Sequence, residues 1–452
     1  MDKFSITGRS DSLFSLLRAL IPATGAGFNP GQSGDRFRAD CAAIVPFLAN
    51  QKLGDFFAAQ AELSLEAVTS ALFPPCETPQ EFAFEPDERM MSDEAKEVCI
   101  AAVSKAIRTG TCIYGNEIET LEACLGEFLG VKHVLLCSSG TEALMVALFA
   151  LNLEPGDEVI MPANSFASTE NAVLSLRGVP VLVDVQPDTH NLDPEKIEAA
   201  ITSRTKVILS VDLYGRLADQ AAISDVAYKN GLVVLEDACQ AIGVTGVGQR
   251  AAAATLSFNT FKNFAACGKA GALLTNDEAV ARRCALYAYH GFDPKRKQYK
   301  IAPFGLNSRI DNLQAAALLA RVPFLSLVNF RRLVLAYRYS EAFHELHHEG
   351  QVFPPPLVPT HSWYLYTITL RDQQSRDDLA AFLRKRKIPF KIIYPVLTHH
   401  QDTPWRDKLY REVSLKVTED LQRRKLTLPL FNGMQLPEQD QVIGAIHDFF
   451  TK

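Results

Sequence analysis

Three short stretches carry residue types that can do chemistry together. Ser138-Ser139-Gly140-Thr141 follows the apolar run His133–Cys137 and opens a helical pattern over 143–151. A turn of small residues at a helix N-terminus offers free N–H groups and the positive end of the helix dipole to an anion. Read alone, it is more often an ordinary N-cap. The second stretch, Leu232 to Gln240, is an apolar strand that ends in Glu236 and Asp237. A carboxylate at a strand's C-terminal end lies at the edge where open α/β sheets bind ligands; capping of the next segment is the equal alternative. The third is Ser257-Phe258-Asn259-Thr260-Phe261-Lys262-Asn263. Lysines are ordinarily solvated, but Lys262 follows an apolar strand and precedes Ala265-Ala266-Cys267-Gly268. A lysine in partly apolar surroundings gives up its proton more readily and becomes a nucleophile toward carbonyls. Lys269, between Gly268 and the strand pattern 271–274, is the competitor and is less suited to the role.

Taken as a set, the stretches are more specific than any one of them. An anion cup, a carboxylate and an amine, in that order along one α/β region, are what pyridoxal phosphate needs: a phosphate site, a lysine for the Schiff base, and an acid beside the pyridine nitrogen. The carboxylate keeps that nitrogen protonated, so the ring can accept the electron pair left at a substrate α-carbon. The stretch 137–142 has neither a GxGxxG nor a GxxxxGK[ST] pattern, which argues against dinucleotide and P-loop readings.

The elements that must position these groups alternate. Apolar runs at His133–Cys137, Glu158–Met161, Pro180–Val183, Thr205–Val211, Leu232–Glu236, Thr255–Phe258 and Gly271–Leu274 are separated by helical patterns. That predicts an α/β domain with a mostly parallel sheet over 92–323. It begins with a helix capped at Ser92 and a second helix over Asn116–Leu129. Before it, residues 1–91 predict a mainly helical N-terminal extension, with pieces at Leu13–Ile21 and Leu53–Leu72 broken by Gly/Pro-rich turns. After it, residues 324–452 predict a smaller α+β domain: a strand over Tyr364–Leu370, a helix over Arg376–Arg386 capped by Ser375, a strand over Phe390–Ile393, and a last helix from about Pro437.

Composition narrows the class. The chain has 452 residues, of which 47% are hydrophobic and 22% charged, with a formal net charge of -6. That is enough for more than one core, and the acidic balance argues against a nucleic-acid partner. There is no run of about 18 apolar residues, so no membrane partner is expected. The N-terminus lacks a basic start, so no signal peptide is expected. The nine cysteines are irregularly spaced without a CxxC pair, which fits a reduced, cytoplasmic protein and no metal site.

At these residues the chain resembles the DegT/DnrJ/StrS family of sugar aminotransferases, pyridoxal-phosphate enzymes of fold type I, from about Ser92 to the C-terminus. The motifs are CSSGTEAL, EPGDEVIMPANSFAST, DVQPDTHNLDP, DLYGRLAD, VLEDACQAIG, SFNTFKN, GLNSRIDNLQAA, IIYPVLTHHQ and LTLPL. The resemblance implies that Gly140, Thr141 and Ser257 hold the cofactor phosphate, that Phe166 stacks on the pyridine, that Asp237 pairs with the ring nitrogen, and that Gln240 sits near the ring oxygen. It implies Lys262 as the Schiff-base lysine and proton shuttle. Asn307 falls where the family reaches the partner subunit's cofactor, which implies a homodimer with shared sites. Tyr214, His290, Arg309, Tyr394 and His399 are the residues expected to meet substrate. The implied reaction moves an amino group from glutamate, or glutamine, to a keto-sugar that is nucleotide-linked or a sugar phosphate. The alternatives are a dehydratase of the same fold, in which histidine replaces the lysine, and a non-catalytic regulator. The chain departs from the family pattern at Gly268-Lys269-Ala270-Gly271, where a basic residue replaces an acidic one, at Asp212 in the HLYG-like motif, and in lacking a GP before Asn116.

Overall fold

The computed structural model describes residues 72–73, 81–293, 296, 298–358, 360–402, 411–412 and 414–451. The helices expected at Leu13–Ile21 and Leu53–Leu72 lie outside these residues, Leu72 excepted. In chain order the principal elements are α1 (Asp93–Thr109), α2 (Asn116–Leu129), β1 (His133–Cys137), α3 (Gly140–Ala150), β2 (Glu158–Pro162), α4 (Ala167–Ser175), β3 (Val179–Val183) and β4 (Thr205–Val211). They continue with α5 (Gln220–Lys229), β5 (Val233–Asp237), β6 (Ala253–Ser257), β7 (Gly271–Thr275), α6 (Glu278–Ala288) and α7 (Asn312–Ala342). The last are β8 (Val352–Phe353), β9 (Tyr366–Leu370), α8 (Gln373–Lys385), β10 (Arg411–Glu412), α9 (Lys416–Arg424), β11 (Lys425–Leu428) and α10 (Leu436–Phe450).

Two compact units form. Among the described residues, one holds those of Ser92–Pro323 and Tyr394–Gln422; the other holds those of 72–91, Phe324–Ile393 and 423–451. The expected 324–452 domain is therefore interrupted, because 394–422 returns to the larger unit. A buried carboxylate anchors that return: Asp184, just past β3, accepts hydrogen bonds from Val417 N (2.9 Å), Thr418 N (2.7 Å) and Thr418 Oγ1 (2.7 Å) at the start of α9. These are N–H groups that a helix leaves without intrahelical partners.

The larger unit is built on an eight-stranded sheet of order β1-β7-β6-β5-β4-β2-β3-β10. From β6 to β10 the neighbours are parallel, while β7 runs against both β6 and β1. Interior strands such as β4 and β2 are buried on both faces, which is why they read as continuous apolar runs without alternation. The reversal of β7 decides where the chemistry sits. Register pairs Ser257 with Gly271 and Cys137 with Gly271, so β6 and β1 end where β7 begins. The turn after β1 and the loop from β6 to β7 thus share the carboxyl edge with the end of β5.

The second unit pairs β11, β9 and β8 in an antiparallel sheet, with a core that includes Leu333, Tyr337, Trp363, Tyr366, Ile368, Leu428 and Ile443. Two sequence expectations fail here. Asp372, not Ser375, caps α8: its carboxylate accepts from Ser375 N at 2.8 Å and the helix starts a turn earlier. Phe390–Ile393 is not a strand; a single bridge joins Lys391 to Thr427, through Lys391 N to Thr427 O at 3.0 Å and Thr427 N to Lys391 O at 2.8 Å. Helix α7 is long and apolar enough to cross a membrane by length and composition, with 44% of its most apolar window buried. It carries Pro323 and the buried, hydrogen-bonded Arg321 and Arg332, and its later part, including Leu333 and Tyr337, belongs to the core just described.

Candidate active site

Asp237 closes β5 and is 4% exposed. Each oxygen has a donor: Thr169 Oγ1 donates to Oδ2 at 2.8 Å, and Cys239 N donates to Oδ1 at 3.2 Å. Because the Thr169 proton is committed to Asp237, Ser165 Oγ donates to Thr169 at 2.7 Å. Neither Thr169 nor Ser165 was singled out from the sequence. Ser165 lies just before the N-cap Phe166 and Thr169 in the first turn of α4, so the entry of the chain into the helix brings the two hydroxyls together.

Ser139 caps α3 by accepting from Glu142 N at 3.2 Å, so the helix starts at Gly140 rather than Ala143. Gly140 is a cradle in the steric sense. A Cβ there would lie 2.9 Å from both Cys239 Sγ and Ser257 Cβ. Gly271 is required beside it, since a Cβ would come within 2.6 Å of Gly140 N. The structure therefore brings Gly140, Ser257 and Cys239 together around one helix N-terminus, with Thr141 the next residue.

The Lys262 loop is held by its own backbone. Lys262 N donates to Asn259 O (2.8 Å), Ala266 N to Phe258 O (2.7 Å) and Phe258 N to Ala270 O (2.8 Å). Lys262 is half-buried and Lys269 is exposed. The Lys262 charge reaches the Cys239 thiol and favours its ionised form, against the larger upward push of burial. That places the ammonium near the residue next-but-one to Asp237.

A polar chain runs along the other side. Tyr214 sits in a tight turn at φ 62° and its N–H donates to Gln240 Oε1 at 2.7 Å. Gln240 Nε2 donates to Tyr394 OH at 3.3 Å, and the Tyr394 ring lies 5.8 Å from that of Phe166. Phe166 is 56% exposed although it directly precedes a helix with buried residues. An exposed ring at the start of the helix that carries Thr169 is a surface for a flat ligand. The segment 394–422, expected in the other domain, supplies Tyr394 to this unit.

Of the remaining expected residues, Arg309 borders the turn after β1: it bridges Cys137, and Ser138 N donates to Ser308 O at 2.7 Å. Asn307 is exposed and bridges Tyr289. Arg309 lies 3.5 Å over the Tyr289 ring and donates to Tyr114 OH at 3.3 Å, and His290 packs on Tyr289 with ring centroids 5.3 Å apart. His399 is 1% exposed and stands 3.6 Å from Glu419 Oε1, as does the more open His400. Burial separates the pair, with His399 inside and His400 partly open. A cavity of about 460 Å³ lined by Glu122, Val131, His133, Leu135 and Thr275 includes none of the residues named for the site.

Residues 93–447 match the model of the DegT/DnrJ/EryC1/StrS aminotransferase family. The chain is 43% identical over 365 residues to 3-oxo-glucose-6-phosphate:glutamate aminotransferase of Bacillus subtilis (strain 168), covering 80% of this chain and 83% of the relative. It is 34% identical to a pleiotropic regulatory protein of Geobacillus stearothermophilus, covering 79% of this chain and 96% of the relative. Among solved structures, NtdA from Bacillus subtilis with bound cofactor PMP superimposes with a TM-score of 0.83 at 41% identity, covering 85% of this chain and 89% of that one. The fold is thus that of a fold type I pyridoxal-phosphate-dependent transferase. The residues fit that cofactor: the missing side chain at Gly140 lets the α3 N-terminus pack close against Ser257, so free N–H groups and a hydroxyl adjoin for a phosphate, and Asp237 retains lone pairs after its two donors. The chain belongs to the DegT/DnrJ/EryC1/StrS aminotransferase family. It is an enzyme, and its cofactor is pyridoxal phosphate.

Proposed function

We propose that this aminotransferase transfers an amino group from glutamate to the ketone of a 3-oxo-hexose phosphate. The observation that carries the reading is that Asp237, with one donor on each oxygen, and the half-buried Lys262 lie at one sheet edge. The sugar-phosphate acceptor is supported by the relative that is 43% identical and is named for 3-oxo-glucose-6-phosphate. Nucleotide-linked keto-sugars, the acceptors in the names of more distant relatives, are the second reading.

Pyridoxal phosphate, when bound, supplies the electron sink for the pair left at the donor's α-carbon. The rest is done by this chain. Gly140, Thr141 and Ser257 bind the phosphate through a helix N-terminus and hydroxyls. Asp237 holds a proton at the ring nitrogen, and Thr169 and Cys239 N–H fix its orientation. Lys262 Nζ moves a proton from the donor's α-carbon, later returning it on the acceptor's side. Phe166 covers one face of the ring, and Gln240 lies beside its oxygen. Tyr214, His290, Arg309, Tyr394 and His399 orient the acceptor, and Asn307 serves the site of a second subunit. Lys262 argues against the dehydratase and the regulator alternatives. The enzyme acts in the cytoplasm as a homodimer.

The test uses nitrogen-labelled glutamate and a panel of keto-sugars. Label in a 3-amino-hexose phosphate is the expected result. Label found only in a nucleotide-linked sugar favours the second reading, and label confined to ordinary α-keto acids removes the sugar assignment. For the dimer, mixing inactive Lys262 and Asn307 variants should restore part of the activity; a fully active monomer refutes shared sites.

A further inference from the structure

On the face of β5 opposite Asp237, two carboxyl groups meet. Ser210 pairs with Glu236 across β4 and β5, so Asp212, two residues beyond Ser210, lies on the same face as Glu236. Both are fully buried. Asp212 Oδ1 accepts from Ala218 N at 2.9 Å, and Glu236 Oε2 accepts from Gly248 N at 2.9 Å. Their other oxygens, Asp212 Oδ2 and Glu236 Oε1, have no hydrogen-bond partner among the described residues when both groups are drawn ionised. Native interiors rarely leave two such acceptors unsatisfied side by side.

We propose that Asp212 and Glu236 hold one proton between them, and that this carboxyl–carboxylate bond is the positioning device that sets the Tyr214 turn against Gln240. One proton turns one orphaned acceptor into a donor and satisfies the other. The bond also ties together the two loops that each group grips, through Ala218 on one side and Gly248 on the other. The turn from Leu213 to Gly215 hangs between Asp212 and Ala218. It carries Tyr214 at a left-handed φ of 62° that a non-glycine residue adopts only when its surroundings hold it. Asn191 secures the same turn, accepting from Leu213 N at 3.0 Å and donating to Arg216 O at 2.8 Å. Tyr214 N then meets Gln240 at 2.7 Å.

The electrostatics agree. Burial first, and the neighbouring Glu236 second, push Asp212 well above the usual carboxylate range. Burial pushes Glu236 up to about 7. Asp237, on the same strand, adds like charge to both. On the facing elements, Ser210 and Gln220 are neutral and bond to each other, Asp219 is exposed at the cap of α5, and Arg250 beyond Gly248 is exposed. The fold therefore keeps a proton that the unfolded chain has already released. The stabilisation is complete below the ordinary carboxylate range and is lost as pH rises through about 7.

The experiment uses the full chain with its cofactor. Thermal unfolding is followed from about pH 5 to about pH 9, together with the infrared carbonyl band of a protonated carboxyl group. The wild type should lose a few degrees of melting temperature across this window and lose the carboxyl band with it. D212N supplies an amide donor that does not titrate, so its melting temperature should lack that slope and its spectrum that band; E236Q should behave alike. A wild-type slope retained in D212N overturns the proposal, and so does a wild type without the band at about pH 6. The wild-type spectrum decides the matter even if both variants fail to fold. The consequence for Tyr214 and Gln240 rests on the proposed function, but these readouts do not depend on the acceptor, so the two can fail separately.

Discussion

Glu236 and Asp237 are consecutive, equally buried, and face opposite sides of one strand. On one side, Thr169 and Cys239 N–H give Asp237 a donor for each oxygen and leave its remaining lone pairs toward the sheet edge. On the other, Gly248 satisfies half of Glu236, and the other half meets a second acid. The strand supplies the same chemical group twice; the neighbouring elements decide what each does. The Asp237 side is furnished with hydroxyls from the start of α4 and opens toward a ligand. The Glu236 side is closed by the loops at Ala218 and Gly248 and keeps its proton inside.

The largest effect is expected on the open side. Lys262→Ala should abolish the cofactor band that borohydride removes and lower turnover by at least about 10²–10⁴-fold, the usual worth of a positioned base. Lys269→Ala should keep both, since Lys269 is exposed and outside the held loop. Peptide mapping of borohydride-reduced protein checks the assignment, and label on Lys269 would remove Lys262 from the mechanism. Next comes Asp237→Asn. An amide of the same shape still accepts from Thr169, but it cannot hold a proton at the ring nitrogen. Turnover should fall by about 10²–10³-fold with the fold intact by circular dichroism. A wild-type rate would show that the two faces of β5 differ in hydrogen bonding alone.

Much of this contrast was legible in the sequence. The strands announce themselves because a buried parallel sheet reads as unbroken apolar runs, and β5 ends in its two acids without ambiguity. The reversal of β7 was not legible: periodicity is blind to direction, and only the register of Ser257 with Gly271 reveals it. The partners of the two acids were hidden for a similar reason. Thr169, Gly248 and Ala218 are distant in sequence or act through backbone N–H groups, which have no sequence signature. Asp212 was visible only as a departure from a motif, because an acid facing another acid looks like an error until a proton is placed between them. The difference between His399, which turns inward, and His400 was not legible, because nothing in THHQ separates the two.

A third buried carboxylate sharpens the comparison. Asp184 has one structural task, capping α9 with its two oxygens shared among Val417 N, Thr418 N, Thr418 Oγ1 and Val185 N. Asp184→Ala leaves buried donors unpaired and should cost about 1–3 kcal/mol of stability, read as a drop in the denaturant midpoint. Because α9 follows the segment that brings Tyr394 to Gln240, the Michaelis constant for the acceptor should rise as well. A loss of stability with an unchanged Michaelis constant would make the cap purely structural.

The smallest expected effect is the most discriminating. Thr169→Val keeps the shape of the side chain and removes one proton donor, that to Asp237 Oδ2. Ser165 then loses its acceptor at Thr169 Oγ1, while the backbone donor from Cys239 remains. Asp237 should keep its place with less to orient it, so turnover should fall by about tenfold, which is about 1.4 kcal/mol at the transition state. The absorption band of bound cofactor should persist, because Lys262 is untouched. Thr169→Ser restores the hydroxyl without the methyl and should restore most of the rate. If valine and serine slowed the enzyme equally, the methyl packing of Thr169 would matter rather than its proton. The open face of β5 would then owe its behaviour to shape instead of to the donors that distinguish Asp237 from Glu236.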